Sequence, residues 1–413
     1  MRRLKWLYPG MLVKRWITLS VFGILMISMG FVIVIYERSS QNKLIAGLII
    51  ILGMLCVIFS IKRILKSFMT VLSSPRDENL LVEKVYERRI LEKGPKIVVI
   101  GGGTGLSTLL KGLKQYSSNI TAIVSVTDDG GSSGRLREEF GILPPGDIRN
   151  CLVALADSDL LGSLFQFRFK EGKELEGHNF GNLFIAALSQ VTGDFARAIK
   201  ESSKVLAIRG NVLPATLQKV VLVARREDGT ETEGECRIRE EKSSPIEWLF
   251  LRPEACNATQ ESVDAIKNAD AIILGPGSLY TSVLPNLLIE GIQKAVAKSK
   301  ALKIYICNVM TEAGETDDYS VSDHMRAITK HTRPNMVNHC IANISRIPKA
   351  LYEKYSGENK FPVRLDKKDE EWLQNERIQL VKANIASTKE FVRHDSLNLS
   401  SVIMELVHES KKT

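Results

Sequence analysis

Four glycines in five residues, Gly101-Gly102-Gly103-Thr104-Gly105, follow the β-branched run Ile97–Ile100 and precede Leu106-Ser107-Thr108-Leu109-Leu110. A buried strand, a tight turn and a helix start are expected there. Glycines let backbone N–H groups approach an anion, and a helix N-terminus adds partial positive charge. With the hydroxyls of Thr104 and Ser107, this reads as a cradle for nucleotide phosphates; a turn that merely reverses the chain is the bland alternative. Leu106 stands where a dinucleotide fingerprint has its third glycine, and no Gly-Lys-Ser/Thr follows, so neither common phosphate motif applies.

A second turn of the same kind, Gly275-Pro276-Gly277-Ser278-Leu279-Tyr280-Thr281-Ser282, follows the strand Ala271–Leu274 and leads into a helix with Pro285 in its first turn. In open parallel sheets, ligands sit beyond the C-terminal ends of the strands, where the strand order reverses. The two turns are expected to face each other there.

The strand Ile120–Val126 ends in Thr127-Asp128-Asp129-Gly130-Gly131. Asp128 and Asp129 suit ribose hydroxyls, or Mg²⁺ held against a diphosphate with Asp128 as its ligand; a solvated Asp-Gly turn competes. Arg135 and Arg149 have the shape for two-point phosphate contact, with an ordinary surface role as the alternative. Asp147 is expected to cap a helix running to Ala156. His178, Asn179 and Asn182 crowd the start of another helix, where they either meet a ligand or serve as caps. No Ser/His/Asp order compels catalysis, so Asp128, Asp129 and His178 are candidates only.

The elements that must position these residues alternate strand and helix, an α/β pattern with a mostly parallel, doubly wound sheet. Further strands are expected at Lys303–Val309, Cys340–Asn343 and Ile378–Val381. Residues 216–252 depart from the pattern, with a β-hairpin of Val220–Ala224 and Glu235–Ile238 and a third strand near Ile246–Leu251. The expected boundaries are a membrane hairpin over 1–72, a linker over 73–95 with amphipathic helical character, and the α/β domain over 96–413.

The net charge of +9 is local: residues 1–72 hold ten Lys/Arg and one acid, Glu37, leaving 46 bases and 46 acids beyond. A nucleic-acid surface is therefore not expected. Trp16–Tyr36 and Leu44–Ile61 carry no charge and are each long enough to cross a bilayer. Basic residues flank the pair on both outer sides, which places both ends and the α/β domain in the cytoplasm. The six cysteines form no Cys-x-x-Cys and read as reduced core residues.

Taken together, Ile100–Leu106, Asp128–Arg137, Pro145–Asn150, Gly275–Ser282, Cys307–Thr311, Gly314–Asp317 and Arg393-His394-Asp395 resemble the bacterial gluconeogenesis factors, relatives of 2-phospho-L-lactate transferase (CofD-like). The resemblance implies a modified Rossmann-like fold and a nucleotide-sugar ligand, typically UDP-N-acetylglucosamine. It also implies a role in cell shape and peptidoglycan supply during growth on gluconeogenic carbon sources. Carried over by motif, Thr104 meets the phosphates, and Tyr355 and Arg393 contact the sugar nucleotide. The expected ligand set is Gly101, Gly102, Gly103, Thr104, Gly105, Asp128, Asp129, Arg149, Asn150, Asn179, Asn182, Gly275, Gly277, Ser278, Tyr280, Tyr355 and Arg393. A homodimer and a lipid bilayer complete the expected partners. An Mg²⁺-dependent transferase with a nucleotide-activated donor is the second reading, and a nicotinamide-dependent oxidoreductase the third.

Overall fold

The computed structural model describes residues 13–36, 39–72, 89–241 and 244–412. The chain divides into two compact units, Met1–Arg89 and Ile90–Thr413. The stretch 73–88, which holds most of the expected linker, lies outside the described residues.

In the first unit, helices Val13–Tyr36 and Ser40–Leu72 lie antiparallel. Glycine sets their spacing: a Cβ on Gly23 would lie 2.8 Å from the Gly53 carbonyl oxygen, and one on Gly53 2.7 Å from that of Gly23. The Trp16 and Phe59 rings meet edge-on at 5.7 Å, with the Arg63 guanidinium 5.4 Å from the Trp16 centroid. The outward side chains, Val21, Leu25, Val32, Leu48, Ile51 and Leu55 among them, are exposed and apolar. Both helices are long and apolar enough to cross a membrane.

The second unit is built on a seven-stranded sheet in which every pairing is parallel. Its strands are β1 (Ile97–Gly101), β2 (Ile120–Val124), β3 (Asn211–Pro214), β7 (Ala271–Leu274), β8 (Leu302–Ile306), β9 (His339–Asn343) and β10 (Gln379–Ala383). The spatial order is β10-β9-β8-β7-β1-β2-β3. The chain thus winds outward from β1 through β2 to β3, returns to β7 on the other side of β1, and winds outward again. The order reverses between β1 and β7, both fully buried. Unbroken apolar strands are what a sheet covered by helices on both faces requires.

Residues β4 (Val221–Arg226), β5 (Glu231–Glu233) and β6 (Ile246–Arg252) form a separate antiparallel sheet. The expected hairpin forms, but its return strand is Glu231–Glu233, and Glu235–Glu240, expected as that strand, is a helix. Gly234 at φ 101° breaks the strand. Glu235 and Ile238 then bury together, three residues apart as a helix demands. Fully buried Arg226 fastens this helix, donating to the carbonyls of Ile238 at 3.1 Å and Glu241 at 2.6 Å.

One further local expectation changes. Pro145, not Asp147, occupies the cap position of helix Gly146–Leu155, so the Asp147 carboxylate is released for another use. Gly131–Phe140, a polar run with little hydrophobic periodicity, is helical. The edge strand β3 and the helices Asp159–Gln166, Phe195–Val205 and Lys367–Asn375 carried no sequence expectation.

Candidate functional site

The two glycine turns leave β1 and β7 at the point of strand reversal and pack backbone against backbone. A Cβ on Gly105 would lie 2.6 Å from the Pro276 carbonyl oxygen, and one on Gly277 3.3 Å from that of Gly102. Gly103 has φ 67° and Gly275 φ 85°, values that glycine adopts without strain. Helix Gly103–Leu113 begins at Gly102 with no side-chain cap. First-turn N–H groups lack intrahelical partners, so this end suits an anion.

A cavity of about 560 Å³ opens over the turns, lined by Gly102, Gly103, Thr104, Gly105, Gly277 and Ser278. A larger depression of about 1070 Å³ lies between helices Phe195–Val205 and Gln260–Lys267, away from both turns. The sheet order dictates what flanks the smaller cavity. On the β2 side stand Asp128, Asp147, Asn150, Glu235 and Arg239. On the β8 side stand Asn308, Val309 and Met310, joined by Tyr355, Val392 and Arg393.

The β2 side is rich in carboxylates. Burial and the neighbouring Asp128 push the Asp147 carboxyl up to about 6, against the pull of the Gly103 N–H it accepts. Arg239 donates to Glu235 Oε1 at 2.6 Å and to Thr281 Oγ1 at 3.1 Å, and its Nε stands 3.6 Å from Glu315 Oε1. Glu235 and Glu315 are both buried. Burial drives Glu235 well up and Glu315 up to about 7, with Arg239 pulling both back. Burial alone would lower the Arg239 pKa; Glu235, Glu315, Asp147 and Asp128 outweigh it.

The β8 side is apolar and basic. Val309, Met310 and Val392 form a small cluster with Tyr355 packed on it. The Tyr355 hydroxyl accepts the Val392 N–H at 3.2 Å, and the Arg393 guanidinium lies 5.1 Å from the Phe391 centroid. β11 (Ala386–Ser387) and β12 (Arg393–His394) pair here and carry Arg393 and His394 to the cavity wall. Burial lowers His394 to about 4, so its ring is neutral at physiological pH.

Several sequence candidates serve the framework. Asp129 turns away from Asp128 and accepts the Cys236 N–H at 2.9 Å, latching the insertion to the end of β2. Arg149 is buried and donates to Asn182 at 3.0 Å and to Asn150 at 2.8 Å. Asn179 caps helix Phe180–Thr192, and His178 Nδ1 lies 3.2 Å from Ser132 Oγ. These groups bond among themselves, leaving only Arg149 Nε of them buried without a partner among the described residues, and Arg149, His178, Asn179 and Asn182 do not line the cavity. Arg135 is spent on the Glu176 carbonyl. Tyr280 is buried with its hydroxyl 2.8 Å from that of Tyr319, because Leu279–Val283 forms a π-helical turn that rotates it inward. Gly101 and Gly275 lie outside the lining; a Cβ on Gly101 would have Gly275 Cα as its nearest atom, and one on Gly275 the Ile306 carbonyl oxygen.

Asp147, Glu235, Arg239, Glu312 and Lys360 reach the cavity without having been singled out as ligand residues. The Pro-Gly-Asp sequence at Asp147, which also fits a helix cap, and the polar loop after the strand at 303–309, which holds Glu312, carried a usable signal. Among the described residues no three His, Cys, Asp or Glu side chains are arranged to hold a metal. Asp128 and Asp147 nevertheless fit Mg²⁺ in its usual mode, in which one or two carboxylates share the ion with substrate phosphates.

Comparison with known proteins follows this geometry. Residues 97–386 match the family model described as 2-phospho-L-lactate transferase CofD. A Clostridium acetobutylicum protein named "Putative gluconeogenesis factor" is 45% identical over 100% of this chain and 93% of its own length. The "Gluconeogenesis factor" of Bacillus subtilis is 47% identical over 76% of this chain and 99% of its own. A Bacillus halodurans protein solved by X-ray crystallography superposes with a TM-score of 0.73 at 46% identity, covering 76% of this chain and all of its own. The α/β unit is CofD-like and Rossmann-like, and the chain belongs to the CofD family, in the branch of the gluconeogenesis factors.

Proposed function

We propose that the Ile90–Thr413 unit binds a nucleotide sugar of the UDP-N-acetylglucosamine type and acts as a sensor or regulator of peptidoglycan supply and cell shape during gluconeogenic growth. The observation that carries this reading is the order of groups along the cavity. The centre offers backbone N–H groups to a diphosphate. The β8 side offers Val309, Met310 and Val392 to a base, with Tyr355 and Arg393 beside it. The β2 side offers oxygen acceptors and Asn150 to a hydroxyl-rich sugar. In this reading the two apolar helices cross the bilayer with both chain ends in the cytoplasm, holding the binding unit near lipid-linked wall synthesis.

Asp128 and Asp147 favour one alternative, an Mg²⁺-dependent transferase in which they hold the ion against the diphosphate. Calorimetry on the full chain in detergent, with UDP-N-acetylglucosamine, separates the readings. Saturable 1:1 binding without nucleotide release is the expected result. With Mg²⁺ and a hydroxyl-bearing acceptor added to take the transferred group, release of free nucleotide that disappears in Asp128→Asn would favour the transferase, and absence of any binding would reject the nucleotide-sugar reading.

A further inference from the structure

Arg239 comes from the antiparallel insertion, yet it reaches the cavity over the central sheet. Two links seat its helix against the end of β2. Asp129 accepts the Cys236 N–H, and the Thr127 hydroxyl donates to Glu235 Oε2 at 3.1 Å. From that seat the guanidinium spans to the far turn. Nε and Nη2 both face Thr281 Oγ1, Nη2 is taken by Glu235, and Nε stands beside Glu315. The side chain is 45% exposed, and among the described residues Nη1 has no protein partner. Arg239 therefore presents one N–H-bearing end to the cavity while two buried carboxylates hold the rest.

We propose that Arg239 is a specificity-determining residue that reads a neutral oxygen acceptor on the ligand's sugar, and that the β2 side rejects a sugar bearing a carboxylate. The charge balance supports this. Asp128, Asp147, Glu235 and Glu315 are four carboxylates against two cations on this side, Arg239 and the buried Arg149, whose guanidinium is already bonded to Asn182 and Asn150. An arginine already paired with carboxylates offers hydrogen bonds without net attraction for an anion. A hydroxyl or an amide carbonyl accepts from Nη1 and leaves no buried charge unpaired. A uronate carboxylate at the same place meets like charge at short range. The same argument disfavours any donor whose transferred group carries a carboxylate.

This inference rests on the nucleotide-sugar reading, and its test separates the two. UDP, UDP-glucose and UDP-glucuronate, with UDP-N-acetylglucosamine alongside, are titrated into the full chain in detergent, with EDTA and again with excess Mg²⁺. Glucose and glucuronate differ only by a hydroxymethyl against a carboxylate. The expected result in EDTA is UDP-glucuronate bound at least ~10-fold more weakly than UDP-glucose, and no more tightly than UDP. In Arg239→Gln the advantage of UDP-glucose over UDP is expected to fall about tenfold. A merely structural arginine would weaken UDP and UDP-glucose by the same factor, and that result overturns the proposal. So does wild-type protein binding UDP-glucuronate as tightly as UDP-glucose, which leaves the nucleotide-sugar reading standing. Failure of UDP, UDP-glucose and UDP-N-acetylglucosamine alike, with and without Mg²⁺, removes the reading and this inference together.

Discussion

The two glycine turns are near twins in sequence and different objects in space. Each ends a buried central strand, and each rests on a carboxylate pushed up by desolvation, half-buried at Asp147 and buried at Glu315. Asp147 accepts the Gly103 N–H of the first turn, and Glu315 accepts the Thr281 hydroxyl of the second at 3.1 Å. Beyond that they diverge. The first opens straight into α-helix Gly103–Leu113, whose N-cap Gly102 offers no side chain, leaving its N-terminus toward the cavity. The second passes through a π-helical turn that folds Leu279, Tyr280, Thr281 and Ser282 inward. In the proposed site the first turn is the ligand surface, and the second is largely a wall that holds it in shape. A motif made of glycines reports where the backbone bends, and the residues after it decide which way the side chains go.

The harshest way to break this pairing is to force the turns apart. Gly105→Val places a branched side chain against the Pro276 backbone, where even a Cβ would sit 2.6 Å from its carbonyl oxygen. Overpacking of this kind costs roughly 1–3 kcal/mol or more. Nucleotide-sugar affinity is expected to fall more than ~100-fold, with thermal unfolding several degrees lower. Unchanged affinity would show that the turns do not share one ligand.

Next comes the carboxylate behind the second turn. Glu315 has a folded pKa of about 7 against an ordinary 4.5, so the native state holds an extra proton between those values. Stability from this group is full at and below pH 4.5, falls as pH rises through the window, and is flat above 7. Glutamine cannot ionise. Glu315→Gln should therefore gain stability relative to wild type as pH rises from 4.5 to 7, by at most about 3 kcal/mol at pH 8. Denaturant midpoints measured across that range check it, and a difference that does not change with pH would contradict it.

Tyr280→Phe probes the inward turn more gently. It removes the hydroxyl pair with Tyr319 and keeps the ring, so a loss of about 1 kcal/mol is expected, with ligand affinity within twofold of wild type. A tenfold loss of affinity would return Tyr280 to the ligand set. The smallest effect is expected at Gly101→Ala. There the nearest atom to an added Cβ is Gly275 Cα at 3.7 Å, an ordinary contact, so stability should shift by less than about 0.5 kcal/mol.

Much of this architecture was readable in the chain. The glycine turns follow apolar runs that only strands of a covered sheet would carry, and the strand order sets them side by side. Asp128 and Asp129 show where reading stopped. Adjacent residues leave an extended segment in opposite directions, so one faces the cavity and the other latches the insertion. Arg239 and Glu235 were out of reach for a different reason. They lie over 100 residues from the first turn, on a helix whose short, charged sequence passes equally for a strand. His178, Asn179 and Asn182 have the composition of a site, but Ser132 and Arg149 satisfy them internally, and only the tertiary fold reveals that.

The central claim is that one diphosphate sits between the two turns, with the base toward β8 and the sugar toward β2. Crystals of the full chain grown with UDP-N-acetylglucosamine test it directly. The account predicts density for the diphosphate against Gly102–Gly105 and Gly277–Ser278, the uracil beside Val309 and Val392, and the sugar within reach of Asp128 and Arg239. A ligand bound in the other depression, or lying in this cavity with base and sugar exchanged, would contradict it.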